Sequence, residues 1–390
     1  MSVAFYSYTN LLSPYMLHRW RMIDREFPGS LVVLTRHPDP DRPWVYRPGD
    51  MDFACVNVPE TVVFSNHLSW SPGLTKIARR DPARRIVHLL GDMSGLNALR
   101  IIRPNCNHAF FLTNDGGFPE TTFRPSQSLR WFLLGRRCQG TMTPGESGRR
   151  YMMAWGFPSH SIYNSYFSQD VEAFASYRDG RQAATDRETI RNEMGVQAGD
   201  LLVLCVSRLL HWKRLEDLAA AVQLVPDATR KRLVLLVMGN GPHRAPLLTL
   251  QTIQGLRFKH LPGVPYAEMV KYYAASDFHV LPSEGDIWGL AVNESLSMGK
   301  PVVCTRKIGA AELVKNAWNG FLVPPRSPQD LSQAIRRLAE DEPLRQAMSK
   351  NALAIEKQWN SQLWMAELKR MLRDLRWDTE PPANGLRTTA

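Results

Sequence analysis

Cysteine is scarce in this chain and poorly placed for joint work. The 390 residues hold five, Cys55, Cys106, Cys138, Cys205 and Cys304. They are widely spaced, form no CxxC pair and lack a histidine at zinc-ligand spacing, which argues against a disulfide framework or a zinc ribbon. They read as small core residues of a protein in a reducing compartment. Long apolar runs are missing too. The longest, Leu201 to Val206 and Leu233 to Met238, are far too short to span a bilayer, and the N-terminal MSVAFYSYTNLLSPYMLHRW has neither a basic n-region nor a cleavable h-region. The expectation is a cytoplasmic protein that can sit at the periphery of the inner membrane face. Acidic residues are short as well: 37 Asp and Glu stand against 48 Lys and Arg, a net charge of +11. That excess points to an anionic partner, whether nucleic acid, membrane surface or phosphorylated substrate.

The apolar content is adequate. Hydrophobic residues at 44% and charged residues at 22% supply two cores over this length, so two domains are expected. In the second half, short β-rich runs alternate with amphipathic segments: LLVLCVS, then RLEDLAAAVQLV; RLVLLVM, then GNGP and HRAPLLTLQTI; LRFKHL, then YAEMVKYYAAS, whose Tyr266, Met269, Val270 and Tyr273 share a face. DFHVLP, GLAVNESLSMG, KPVVC, GAAELVKN, NGFLV and PQDLSQAIRRLAE continue the rhythm. Strands that are apolar throughout are buried on both faces, which predicts a doubly wound parallel sheet over about 195–350. The first half repeats the rhythm less cleanly through SVAFYSYT, LVVLTRH, TVVFSNH, RIVHLL, HAFFLT and GTMTPG. Ser13 and Pro14 suit the N-cap and first position of a helix over MLHRWRMIDREF. A second Rossmann-like domain is expected over 1–185, with the polar SYRDGRQAATDRET (176–189) as linker and WDTEPPANGLRTTA (377–390) as a disordered tail.

Two such domains would place ligands in a cleft beyond the carboxyl ends of their strands. After LLVLCVS comes SRLLHWKR, where Arg208 and Lys213 can straddle a diphosphate; taken by themselves they read rather as a solvated basic loop. After DFHVLP the loop SEGDIW leads into a helix from about Gly289 to Met298. Its N-terminus suits a phosphate, while Asp286 and Glu294 can reach a sugar and a ribose.

The segment LPSEGDIWGLAVNESLSMGKPVV resembles the signature of the retaining nucleotide-sugar glycosyltransferases of the GT-B fold, the family 4 (group 1) type with a Glu-x7-Glu motif written around EGFGL…EAMACGKPVV. SRLLHWKR is similar to that family's GRL…KG and MGNGP to its GxGP turn, and LPGVPYAEMVKYYAASDFHVLPS extends the likeness over most of 200–340. TPGESGRRYMMAWGFPSHSIYNSYFSQDVEAF carries it more weakly in the first half. Three departures stand out: Asp286 replaces the usual first Glu, YTNLLSPY replaces the Gly-rich loop after the first strand, and the family's histidine after an N-terminal strand has no evident counterpart, with Asp115 in its place.

The resemblance implies a GT-B protein with two Rossmann-like domains facing each other across a cleft. The N-terminal one would bind acceptor, the C-terminal one nucleotide-sugar, and crossover helices at 351–376 would pack back on the N-terminal domain. It implies Arg208 and Lys213 on the donor diphosphate, Glu294 on the ribose, Asp286 with the Gly289 and Leu290 amides on the donor sugar and phosphate, backbone at Val264 on the base, and Gly239 and Gly241 in the donor turn. Asp115 and His67 are weaker catalytic candidates, and Asn10 and Ser13 are candidates for the acceptor. No metal or other cofactor is expected, because the Arg and Lys pair takes a divalent ion's role. The implied function is retaining transfer of a hexose-type sugar from a nucleoside-diphosphate sugar to a glycan or polyprenyl-linked acceptor in cell-surface polysaccharide assembly. The rival is a non-catalytic sugar-nucleotide-binding protein. Thirteen Lys and Arg against five Asp and Glu over 71–150 suit an anionic membrane surface. Nucleic acid is not expected, since no recognised binding module accompanies the charge.

Overall fold

Strands that are apolar on both sides need cover on both faces, and the chain supplies it twice. The computed structural model describes residues 3–9, 12–35, 51–58, 61–62, 69–70, 85–91, 107–113, 135, 137–166 and 170–377. Within these the strands are β1 (Val3–Thr9), β2 (Leu31–Thr35), β3 (Ala54–Asn57), β4 (Thr61–Val62), β5 (Ser69–Trp70), β6 (Arg85–Leu90), β7 (His108–Thr113), β8 (Gly140–Thr143), β9 (Ile162–Asn164), β10 (Leu201–Val206), β11 (Leu233–Met238), β12 (Arg257–Leu261), β13 (Phe278–Leu281), β14 (Val302–Thr305) and β15 (Gly320–Val323). The chain divides into two units, Met1–Phe167 with Ser361–Ala390, and Ser168–Asn360.

The first unit carries a parallel sheet in the order β3-β2-β1-β6-β7-β8-β9. Alternate residues of β1 serve its two faces: Phe5 packs with Trp20, Ile23, Val33 and Phe111, and Tyr6 with Ile86, Phe110 and Met152. The Pro14–Glu26 helix begins at Ser13 as predicted, but the Ser13 hydroxyl makes no cap bond; the Ser13 carbonyl accepts from Met16 and Leu17 at 3.0 Å. Of the TVVFSNH run, Thr61–Val62 form β4, which pairs antiparallel with β5 apart from the main sheet; the rest of the run lies outside the described residues. The short strands β3 and β9 had no sequence signal of their own.

The first core is completed from the far end of the chain. Trp364, Leu368, Met371 and Leu372 of the Ser361–Asp374 helix are buried in the same cluster as Phe5 and Trp20. Tyr163 donates to Asp374 at 2.8 Å, the Asn164 amide donates to Glu367 at 3.0 Å, and the Arg370 guanidinium lies 4.2 Å from the Tyr163 ring centroid. The return to the first unit starts at Ser361 rather than 351, because residues 351–360 belong to the second unit. Trp377, placed at the head of the expected tail, is buried in this core as well; residues 378–390 lie outside the described residues.

The second unit holds a parallel sheet in the order β12-β11-β10-β13-β14-β15. The chain direction of winding reverses between β10 and β13, so the loops after these two strands leave the carboxyl edge side by side, where doubly wound folds bind ligands. The expected linker is instead two helices of this unit, Val171–Asp179 and Arg181–Met194. Asp170 caps the first by accepting from the Ala173 amide at 2.9 Å, and Gly195, at φ 75°, ends the second in the left-handed region. Their apolar contribution is only a few residues, Phe174 and Ile190 among them, which is why the composition read as linker. Ion pairs anchor them: Asp277 meets Arg187 at 2.9 Å and Arg191 at 2.8 Å and accepts from the Leu202 amide at 2.7 Å. Burial pushes the Asp277 carboxyl up, but Arg191 and Arg187 overcome it and hold it below the usual carboxylate range.

Among the described residues, Cys55 and Cys138 are half-buried, Cys205 and Cys304 buried, and all four are free thiols. Burial pushes Cys55 up to about 11 and the other three to about 12, so they stay protonated and unreactive near neutrality. Cys106 lies outside the described residues. No described helix is long and apolar enough to cross a membrane.

Candidate functional site

Glycines shape the first wall of the site. The loop leaving β10 and the turn leaving β11 run in contact: Ser207 donates to the Met238 carbonyl, Leu209 to that of Asn240, and His243 back to that of Leu209, all within 2.9 to 3.0 Å. Gly239 has φ 141° and Gly241 φ 156°. A Cβ on Gly239 would stand 2.0 Å from the Ser207 carbonyl oxygen, and one on Gly241 2.4 Å from that of Leu209. Only glycine allows both the conformation and the approach. The β10 loop then forms a 3-10 turn, His211–Lys213, and passes through Arg214 at φ 54° into the helix Leu215–Leu224. This path leaves Arg208 exposed and brings Lys213 back toward the sheet.

The second wall follows β13. Asp286 lies in the loop after that strand, its amide donating to the Lys307 carbonyl and its own carbonyl accepting from Gly309, each at 3.0 Å. Trp288 pins the loop: it is buried, its indole N–H donates to Asn293 at 2.8 Å, and its ring stacks on Trp359 at 4.8 Å between centroids. Gly289, at φ 87°, starts the helix Leu290–Ser297; a Cβ there would come 2.5 Å from Ile308 and 3.6 Å from an Asp286 carboxylate oxygen. The helix therefore opens with free amides directly beside Asp286.

The structure brings Lys213 and Asp286 together as an ion pair, with side chains 12% and 20% exposed. Glu294 lies deeper than the sequence suggested. It sits in the second turn of its helix and is 4% exposed. Its two carboxylate oxygens accept from Tyr266 at 3.0 Å and Tyr273 at 2.6 Å. Burial raises the Glu294 carboxyl above the usual range, and the two hydroxyl bonds pull it back only in part. A carboxylate has about four lone-pair sites, so the tyrosines leave one on each oxygen for a vicinal diol.

Sequence reading missed both tyrosines as polar partners. They lie on one face of the Tyr266–Ala275 helix, and that face was read as apolar core, which Tyr273 also serves. Val264 is half-buried and packs against the same cluster, and Leu290 is half-buried at the helix start. Ser13 belongs to the first unit, buried, with its hydroxyl lacking a partner among the described residues. Asn10, His67 and Asp115 lie outside the described residues.

Residues 186–354 match the family model for glycosyl transferases group 1. An uncharacterized glycosyltransferase of Methanocaldococcus jannaschii is 29% identical over 43% of this chain and 43% of its own length. A D-inositol 3-phosphate glycosyltransferase of Corynebacterium glutamicum is 28% identical over 53% of this chain and 50% of its own length. The chain thus spans half or less of these curated relatives. Across the whole fold, Anabaena HepE in complex with UDP is similar with a TM-score of 0.74 at 17% identity, covering 96% of this chain and 100% of that one. WaaG, a glycosyltransferase involved in lipopolysaccharide biosynthesis, gives 0.68 at 17%, covering 95% and 99%. Two parallel-sheet Rossmann-like domains with these neighbours constitute the GT-B fold. The matched segment begins in the Arg181–Met194 helix and contains both walls of the site, so the likeness to the glycosyl transferases group 1 family lies in that domain.

Proposed function

We propose that the protein is a retaining glycosyltransferase that moves a hexose-type sugar from a nucleoside-diphosphate sugar to a glycan or lipid-linked acceptor. The observation that carries this reading is the grouping of Lys213, Asp286 and the Gly289 helix start at one sheet edge, with Glu294 held between two tyrosines in the same helix. In this reading Arg208 and Lys213 receive the charge that develops on the departing diphosphate, and the Gly289 and Leu290 amides add helix-end dipole to it. The role is electrostatic, so the transfer needs no divalent ion. Glu294 takes the ribose hydroxyls on its remaining lone pairs, and Asp286, held in place by Lys213 and its backbone bonds, accepts from a sugar hydroxyl. The leaving phosphate serves as the base for attack from the same face, which retains configuration and requires no second carboxylate at glycosidase spacing. HepE, whose complexes hold UDP and UDP-glucose, supports a uridine donor as the first to try. A cell-surface polysaccharide acceptor at the cytoplasmic membrane face, met through the basic stretch 71–150, completes the proposal.

The test is incubation of the full chain with UDP- and GDP-sugars in EDTA. Slow release of nucleoside diphosphate without acceptor is expected from one of them. Binding without any release would favour the rival reading of a sugar-nucleotide-binding protein, and absence of both would overturn the donor site.

A further inference from the structure

Three side chains outside the assigned donor residues converge from neighbouring turns. His211 opens the 3-10 turn after β10, Glu216 lies in the first turn of the Leu215–Leu224 helix, and His243 follows the glycine turn after β11. One ligand-type atom from each lies within 4.8 Å of the other two. His243 Nε2 is 3.6 Å from Glu216 Oε2, and the His211 and His243 rings meet edge to face with centroids 5.1 Å apart. Glu216 Oε2 and His243 Nε2 are both shut off from solvent, and neither has a hydrogen-bond partner among the described residues. Buried polar atoms are normally satisfied, so an orphaned acceptor facing an orphaned ring nitrogen calls for an account. Arg214 holds the other oxygen, Oε1, at 2.7 Å, which aims Oε2 at the histidines. The His243 amide is tied to the Leu209 carbonyl at 3.0 Å.

We propose that His211, Glu216 and His243 bind a divalent transition-metal ion of the zinc type. Two imidazoles and one carboxylate form a ligand set that suits borderline ions and discriminates against calcium and magnesium, which prefer all-oxygen shells. Tetrahedral bonds of about 2.0 to 2.1 Å put ligand atoms roughly 3.3 Å apart. The Glu216 to His243 separation is already close to that, and a small ring rotation would bring in His211, which is exposed. Three protein ligands leave a fourth position for water. The ion stands apart from the transfer chemistry. Its effect is to cross-link the β10 loop, which carries Arg208 and Lys213, to the turn that carries Gly239 and Gly241. Metal binding is measured directly, so it stands or falls separately from the donor reading.

The experiment uses the full chain without a histidine tag, stripped with EDTA, dialysed, and titrated with Zn²⁺ by calorimetry and with Co²⁺ by visible absorbance. Expected are about one saturable equivalent, the strong visible bands of four-coordinate cobalt, and a melting temperature that rises with added Zn²⁺. His243→Gln and Glu216→Gln should each weaken Zn²⁺ at least about tenfold, with metal-free circular dichroism spectra matching the wild type. His211→Gln, an exposed position, keeps the test usable if either buried variant misfolds, and it too should weaken binding. No saturable equivalent, or unchanged affinity in His211→Gln and the folded partner variants, would overturn the proposal and leave the direct approach of His243 to Glu216 as the account of the pair.

Discussion

Lys213 donates to the carboxylate of Asp286 across 73 residues of sequence. The pair joins the loops after β10 and β13, so each group is held by the other until an anion arrives. In the proposed function, a diphosphate at this edge competes with Asp286 for the ammonium. Lys213→Ala should weaken nucleoside-diphosphate binding by about 1.5 to 3 kcal/mol, the scale of a charge-assisted hydrogen bond. Asp286→Asn should bind the diphosphate at least as well as the wild type while turning over more slowly. Calorimetry beside a turnover assay reads the split; unchanged affinity in Lys213→Ala would remove that residue from the site.

Glu294→Gln separates function from stability. Burial raises the Glu294 carboxyl, and a carboxyl raised in the folded state contributes stability at low pH that is lost as pH rises through its folded value. The neutral amide avoids that loss. The variant should melt no lower than the wild type at pH 8, with any advantage shrinking toward acid, while transfer falls roughly a hundredfold or more. Transfer within tenfold of the wild type would put Glu294 outside the donor site.

Asp277 gives the opposite sign. Its folded value lies below the ordinary one, so its contribution is present above the unfolded value of about 3.9 and fades as pH falls through the folded value. Asp277→Asn leaves Arg187 and Arg191 without their carboxylate and should cost about 1 to 3 kcal/mol at pH 7. In urea unfolding, the gap from the wild type should narrow by pH 3; an equal gap at both pH values would rule out the ion pairs as its cause.

Ending the chain before Ser361 removes Trp364, Met365, Leu368, Met371, Leu372 and Trp377 from the first core. At about 1.5 to 3 kcal/mol for each buried apolar side chain, the loss rivals the roughly 5 to 15 kcal/mol that hold a whole domain together. Hydrogen exchange should find β1 and β6 unprotected in the truncated chain while the second unit still binds nucleoside diphosphate. Protection of those strands at wild-type levels would show that the helix is dispensable.

The second sheet was legible because each of its strands apart from the edge strand β12 is a short apolar run closed by a loop with glycine, proline or charge, and the strand-like runs from LLVLCVS to NGFLV all became strands in sequence order. The Pro328–Glu340 helix follows the PQDLSQAIRRLAE pattern residue for residue. The Arg181–Met194 helix before β10 was not legible, because Arg187 and Arg191 dock it on Asp277 and ion pairs leave no apolar period to read. At the site, the loops after β10 and β13 could be named, but the partners could not. That Lys213 meets Asp286 depends on strand order, and that Glu294 is buried depends on tyrosines which periodicity alone assigns to the core.

The first unit is discontinuous along the chain, and that has a consequence for synthesis. While the ribosome is still adding residues 168–360, the sheet face that holds Phe5, Val33 and Phe111 is covered by Trp20 and Ile23 of the Pro14–Glu26 helix but lacks the Ser361–Asp374 helix that completes its core. The second unit is made without interruption and can close as soon as its last helix emerges. The order of maturation therefore runs against the order of translation: the domain begun first is finished last, and the nascent chain carries a partly covered apolar sheet face until Trp364 through Trp377 are released.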